Sequence, residues 1–252
     1  MPEPAVHAFA ARHIWLAPHM RVCTLDALSI LLDLRRGRYL GLGAEQSRHL
    51  SEWVQDWPSD EHASSPESPC DLPPAFVTRL LNRGVLTTEA PSQTNRVRLP
   101  AACHSLDTRD LSTELQVSPG RVASFVRAAA SATLWLRCRS LQAIAAHLER
   151  VRGSRTRTRA EGASTSLNGQ AAMFVSVATF DMLRPLAFTS RDRCLFDSLA
   201  LMNLLHLDGL DARWVIGVKD RPFAAHAWVQ QDDLVLNDLH EHVRRFTPIL
   251  IV

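Results

Sequence analysis

The chain has 252 residues, 46% hydrophobic and 21% charged, so it can bury a sizeable core and needs no disulfide or metal for stability. A net charge of +2 is too mild to imply nucleic acid, and nearly all the positive charge is arginine, with Lys219 the one lysine. The five cysteines (Cys23, Cys70, Cys103, Cys138 and Cys194) are widely spaced without a CxxC pair, which excludes a disulfide scaffold and a zinc ribbon. Met1-Pro2-Glu3-Pro4 opens no basic-then-apolar signal segment. No apolar run approaches the roughly 20 residues that span a bilayer. The expectation is a protein of the reducing cytoplasm without a membrane partner.

Residues 12–42 alternate as strands do. Ile14 and Leu16 flank Trp15, and Leu28, Ile30 and Leu32 alternate with Ser29, Leu31 and Asp33. Arg35-Arg36-Gly37-Arg38 reads as a turn, and Tyr39-Leu40-Gly41-Leu42 returns as a further strand of a small sheet. A helix is predicted over residues 44–55, with Leu50, Trp53, Val54 and Trp57 at helical spacing and Pro58 as its stop. Residues 59–69 read as a loop. Pro73-Pro74 opens a second helix over Ala75–Asn82, which Gly84 ends.

Leu31-Leu32-Asp33-Leu34, Gly37-Arg38-Tyr39-Leu40-Gly41-Leu42 and Leu80-Leu81-Asn82-Arg83-Gly84-Val85-Leu86 follow in an order that resembles the winged-helix-like PqqD-type peptide-recognition domain. The resemblance implies that residues 1–90 bind a leader peptide as an added strand, with Arg38, Tyr39, Leu40 and Leu42 at the receiving edge. Strand addition gives sequence-tolerant backbone bonds, while alternate side chains select. A DNA-binding winged helix is the rival, but no helix here carries a clustered basic face.

Residues 91–117 are polar and proline-punctuated and read as a linker. From Ser118-Pro119 an apolar-periodic stretch runs to about Val151 as one or two helices, with Ser118 as cap and Pro119 in the first turn. The arginine-rich run Arg150–Arg159 reads as a solvated loop, continued by residues 162–169. Residues 173–188 are apolar at helical spacing.

The chemistry concentrates after Arg193. Cys194 lies in the first turn of a helix in which Leu195, Leu199 and Met202 share a face. Ser190 or Asp192 is the candidate cap, and Gly209 suits the position after its end. Unpaired amides and the helix dipole favour an anion there, so the thiol should ionise easily, and a thiolate is what attacks a carbonyl. Cys23, Cys103 and Cys138 have no such setting and read as buried and inert. Strands follow at Arg213–Val218, Phe223–Gln230 and Leu234–Asp238. His226, Trp228 and Gln230 share one face of their strand, and Leu234, Leu236 and Asp238 one face of the next. A three-residue loop, Gln231-Asp232-Asp233, would set His226 opposite Asp238, whereas a two-residue loop would send Asp238 to the other face. A paired carboxylate fixes the imidazole tautomer and stabilises the imidazolium formed when histidine takes the thiol proton. His240 and His242 would share a face if the strand continued, but no further ligand is evident, so no metal site is expected.

Arg193-Cys194-Leu195, Ser198-Leu199-Ala200-Leu201, Gly217-Val218, Pro222-Phe223, Ala225-His226-Ala227-Trp228-Val229 and Leu236-Asn237-Asp238 resemble the leader peptidases of lasso-peptide biosynthesis, within the transglutaminase-like, papain-related cysteine protease superfamily. The resemblance covers residues 119–252 and, with the recognition unit in front, implies an α+β chain of two domains, 1–90 and 118–252. It implies Cys194 as nucleophile, His226 as general base and then acid, and Asp238 as the orienting carboxylate. It also implies a ribosomally synthesised precursor peptide as substrate, an ATP-dependent asparagine-synthetase-like cyclase as partner, and no cofactor. The chain itself has no Gly-x-x-x-x-Gly-Lys phosphate loop. The rivals are an acyltransferase using the same triad, a non-catalytic precursor-binding adaptor and a winged-helix regulator.

Overall fold

The structure, a computed structural model, describes residues 14–25, 28–55, 57–58, 75–90, 99–107, 116–160, 166–187 and 194–252. The chain divides into two compact units, residues 1–96 and 97–252.

In the first unit β1 (Trp15–Leu16) precedes an antiparallel meander of β2 (Met20–Leu25), β3 (Leu28–Asp33) and β4 (Arg38–Gly43). The predicted arginine turn is held by Asp33, whose Oδ1 accepts the backbone N–H groups of Arg35 (2.8 Å) and Arg36 (3.1 Å). Two helices follow, α1 (Ala44–Trp53) and α2 (Ala75–Asn82). Helix α1 ends two residues before the predicted Gln55, because Val54 leaves it to bridge Ile14 and Gln55 donates its N–H to the Ile14 carbonyl (2.7 Å). Strand β5 (Leu86–Thr87) pairs with β1 and ties the two ends of the unit together. Its core holds Ile14, Leu31, Leu42, Leu50, Val77 and Leu86. Each such side chain, fully buried, contributes about 1.5–3 kcal/mol. The Pro73-Pro74 opening and the loop expected at 59–69 lie outside the described residues.

The second unit begins earlier than the expected boundary. Residues 99–107 lie within the segment read as a linker, yet β6 (His104–Ser105) pairs in parallel with β9 (Leu234–Val235). Its polar composition suits an outer strand, which is why it carries no core signal. Helices α3 (Pro119–Cys138), α4 (Leu141–Ala160), α5 (Ser166–Ala187) and α6 (Cys194–Leu207) follow. Ser118 caps α3 by accepting the Arg121 N–H, with Pro119 in the first turn, as its sequence predicts. The arginine-rich run departs from expectation: it continues α4 to Ala160 instead of forming a loop. Arginine is a good helix former, and Arg152 anchors the run through Asp211 at 3.1 Å. Likewise α5 starts at Ser166, inside the expected loop.

Helix α6 is the centre of the unit. Residues Ser198 to Leu205 are all buried, so the helix is enclosed on every side rather than along one face. It packs against α3, α5 and strand β8 (Ala224–Gln231). The sheet runs β10-β7-β8-β9-β6, with β7 at Arg213–Lys219 and β10 at Thr247–Ile251. Trp214 on β7 donates its indole N–H to Ser198 of α6 at 2.8 Å, which locks helix to sheet. Among the described residues no helix is long and apolar enough to cross a membrane.

Candidate active site

Cys194 is the first residue of α6 and is half-buried. Its candidate caps, Ser190 and Asp192, lie outside the described residues. The far end of the helix closes as predicted: Gly209 takes φ 77°, and Leu210 donates back to the Leu205 carbonyl at 2.9 Å.

His226 sits on β8 opposite Gly217 of β7. A Cβ at Gly217 would come within 2.8 Å of the Trp228 ring and 2.9 Å of Phe246 Cβ. Glycine therefore lets the Trp228 ring lie across β7, and that ring stacks against the His226 imidazole with centroids 6.1 Å apart. Phe246 lies 5.2 Å from the same imidazole, so aromatic side chains fix its position.

Asp238 reaches His226 by a different path from the predicted one. The hairpin turns on two residues, pairing Gln231 with Leu234 and Gln230 with Val235, which is not the three-residue loop expected. Asp232 accommodates the tight turn at φ 50°. A continued strand in that register would carry Asp238 to the wrong face, but β9 stops at Val235. Leu236 makes the last ladder bond to the Val229 carbonyl (2.9 Å). In an antiparallel pair Val229 should return its N–H to the Leu236 carbonyl. Instead it donates to the side-chain oxygen of Asn237 at 2.8 Å. Asn237 thus replaces the missing backbone acceptor, the chain peels away, and Asp238 Oδ2 accepts from His226 Nε2 at 2.5 Å. Its Oδ1 accepts the Leu239 N–H at 2.7 Å.

The same departure serves Cys194. Val229 points its peptide groups toward β9, and Ala227, two residues back, turns the same way where β9 has ended. The freed Ala227 N–H and the Leu195 N–H hydrogen-bond the Cys194 sulfur. With His226 Nε2 committed to Asp238, Nδ1 is the nitrogen left for the thiol, and His226 stands between Cys194 and Asp238.

The electrostatics follow from this chain of contacts. Burial pushes the Cys194 thiol up, but the hydrogen bond and charge of His226 and the two backbone N–H groups outweigh it, leaving the thiol below its ordinary value. Burial lowers His226, yet its hydrogen bonds to Asp238 and Cys194 and their charges raise it to about 9. Burial raises Asp238, while His226, the Leu239 N–H and His242 hold it below the usual carboxylate range. These shifts run toward a thiolate–imidazolium pair backed by a carboxylate, an arrangement whose chemistry suits attack on a carbonyl.

One neighbour was missed. His240 and His242 do not continue a strand; they lie on a short helix, α7 (His240–Val243), so they do not share a face. His240 is held by Ser105, whose Oγ accepts the His240 N–H at 2.6 Å. His242 turns back to Asp238, Nδ1 to Oδ2 at 3.1 Å, with its ring 4.7 Å from that of His226. The separation of four residues from Asp238 was the available signal, once the segment is read as helix. Donor atoms of His226, Asp238 and His242 lie within 4.8 Å of one another, so the structure supplies the further ligands that are not evident in the sequence.

Elsewhere, Cys23 is buried, and burial pushes its thiol up to about 12 against the Ile30 N–H. Cys103 and Cys138 are exposed, contrary to expectation: Cys103 precedes the outer strand β6, and Cys138 is the last residue of α3. Of the four residues expected at the peptide-receiving edge, Arg38 and Leu40 are exposed on the outer strand β4 and Tyr39 is half-buried. Leu42 is not available: its side chain is buried in the core of the first unit.

Residues 126–251, half of the chain, match the family described as the transglutaminase-like superfamily. That span runs from within α3 to the end of β10 and contains Cys194, His226 and Asp238. Over 45 residues the chain is 44% identical to the microcin J25-processing protein McjB of Escherichia coli. This stretch is 18% of the chain and 22% of McjB. No solved structure matches significantly. The buried helix opened by a cysteine, the strand carrying histidine and the matched span agree, and the chain belongs to the transglutaminase-like superfamily.

Proposed function

We propose that the chain is the leader peptidase of a lasso-peptide pathway, a cysteine hydrolase that cuts a ribosomally made precursor between leader and core. The observation that carries this reading is the position of His226, in contact with both Cys194 at the start of α6 and Asp238. The partial likeness to a microcin-processing protein supports a precursor peptide as the substrate class.

In this mechanism the Cys194 thiolate attacks the carbonyl at the leader–core junction. The backbone N–H of Cys194, at the helix start, stabilises the oxyanion. Imidazolium His226 gives its proton to the departing amine of the core. His226, now neutral, takes a proton from water, which hydrolyses the thioester and releases the leader as a free acid. Asp238 holds the ring through Nε2 during both transfers.

The first unit supplies capture. β4 is an outer strand of its sheet, with Arg38 and Leu40 exposed along it, and a leader added there would gain backbone bonds. This function matches that of a PqqD-type domain, and it raises the local concentration of the scissile bond. An ATP-dependent cyclase of the asparagine-synthetase type then closes the released core.

The test is to mix the chain with the precursor encoded beside it and read masses. Cleavage at one junction, lost in Cys194→Ala, is the expected result. An adduct of the leader with an added amine would instead make the protein an acyltransferase. Binding without cleavage, with or without the cyclase, would make it an adaptor.

A further inference from the structure

We propose that His226, Asp238 and His242 form a site for a zinc-class divalent cation, whose binding reversibly shuts the catalytic centre. The inference rests on the peptidase reading for its consequence, although not for the binding itself.

The ligand chemistry is two imidazole nitrogens and one carboxylate oxygen, a set that suits zinc and its first-row neighbours. Zinc bonds of about 2.0 Å in tetrahedral array put ligand atoms about 3.3 Å apart. His242 Nδ1 and Asp238 Oδ2 are already 3.1 Å apart, while His226 Nε2 and Asp238 Oδ2 are 2.5 Å apart. All three donor atoms lie within 4.8 Å. Side-chain shifts of about 1 Å bring them to coordination distance. A carboxylate only accepts, so both nitrogens carry their protons toward Oδ2, and the metal takes the place of those protons.

The surroundings are those of a metal site. Metal-bound carboxylates and imidazoles are usually held by further partners. Here Asp238 Oδ1 is held by the Leu239 N–H at 2.7 Å, and His226 Nδ1 faces Cys194. Phe246 packs against both rings, at 5.2 Å from His226 and 5.5 Å from His242, edge-on to the latter. The three residues are only half-buried, His242 being the most exposed with 43% of its side chain open to solvent, and water would complete the coordination. A bound cation would withdraw Asp238 from His226 and, by holding Nε2, leave the ring no free nitrogen to take up a proton, without occupying the thiol. His242 is what distinguishes this arrangement from an ordinary triad, in which a metal would have to use the cysteine.

The experiment uses the full chain in metal-free buffer. Zinc and cobalt(II) are titrated by calorimetry and absorption into the wild type, Cys194→Ala, His242→Ala, His242→Asn and Asp238→Ala, each checked for folding by circular dichroism. The expected result is one equivalent bound to Cys194→Ala as tightly as to the wild type. Affinity should fall at least about tenfold in the His242 and Asp238 variants, and cobalt should give no thiolate charge-transfer band. Loss of binding in Cys194→Ala, a thiolate band, or His242 variants within twofold of the wild type would overturn the site. In the activity arm zinc should slow precursor cleavage and a chelator should restore it; binding without inhibition would overturn the shut-off. If no cleavage occurs under any condition the peptidase reading fails, while the binding arm still decides the cation site.

Discussion

Asp238→Asn isolates what the carboxylate does for His226. Asparagine has the same shape and can keep the 2.7 Å bond from the Leu239 N–H, but it loses the charge that faces His226 Nε2. In the intact site burial opposes the imidazolium, yet Asp238 and Cys194 together raise it from 6.5 to about 9. That interval is worth about 3 kcal/mol at about 1.4 kcal/mol per pH unit. The imidazolium is therefore stabilised by folding. Its contribution is fully present below pH 6.5 and is lost as the pH rises through about 9. The kcat/KM of the wild type should accordingly fall on an alkaline limb near pH 9, which in Asp238→Asn should move toward neutrality. Loss of the correct tautomer should lower kcat by about 10²- to 10⁴-fold. Leader release followed by mass spectrometry measures both. The rate of Cys194 alkylation by iodoacetamide against pH reads the thiolate without substrate. The melting temperatures of wild type and variant should converge as the pH is raised from 6.5 past 9. An alkaline limb that stays near pH 9 in the variant would refute the role of Asp238.

Asn237→Ala removes the acceptor of the Val229 N–H inside the sheet and should cost about 1–3 kcal/mol, seen as a lower denaturant midpoint, with activity falling further because Asp238 loses its placement. Gly217→Ala places a methyl 2.8 Å from the Trp228 ring; about 1–3 kcal/mol of stability should be lost, with a changed Trp fluorescence spectrum. An unchanged melt would mean that the ring is free to move. Leu40→Asp on exposed β4 should leave the fold intact and weaken leader binding about tenfold or more by fluorescence anisotropy. Unaltered affinity would move the leader site away from that edge.

The site was legible where chemistry and local pattern coincide. A cysteine at the start of an apolar helix, a histidine among β-formers and an aspartate twelve residues later needed only short-range reasoning, and the structure brings the three side chains together. The route was not legible. Period-two counting assumed that the strand runs on to Asp238, but the chain leaves the ladder at Leu236 because Asn237 supplies a side-chain acceptor, which no periodicity records. The same assumption hid His242, which meets Asp238 only on a helical turn. Arg150–Arg159 was misread because composition alone does not separate a solvated loop from a solvated helix face, and the Asp211 anchor is distant in sequence. Leu42 shows the limit of strand alternation: it lies in an outer strand, yet its side chain belongs to the core.

Parallel pairing of β6 with β9 has a practical meaning for anyone dividing this protein. A chain begun at Ser118 would look complete by its helices, yet it would lack the outermost strand of the sheet and the Ser105 hydroxyl that anchors His240. It would expose the Cys103–Leu106 side of β9 as an unpaired edge, open to self-association. It would also loosen the helical turn that presents His242, without removing Cys194, His226 or Asp238. A cut made ahead of Leu99 keeps that strand and its serine, together with the Pro100 carbonyl that accepts from Gln230 at 2.9 Å. The working boundary of the second unit is set by hydrogen bonds to a stretch of chain that, by composition, looks like a tether.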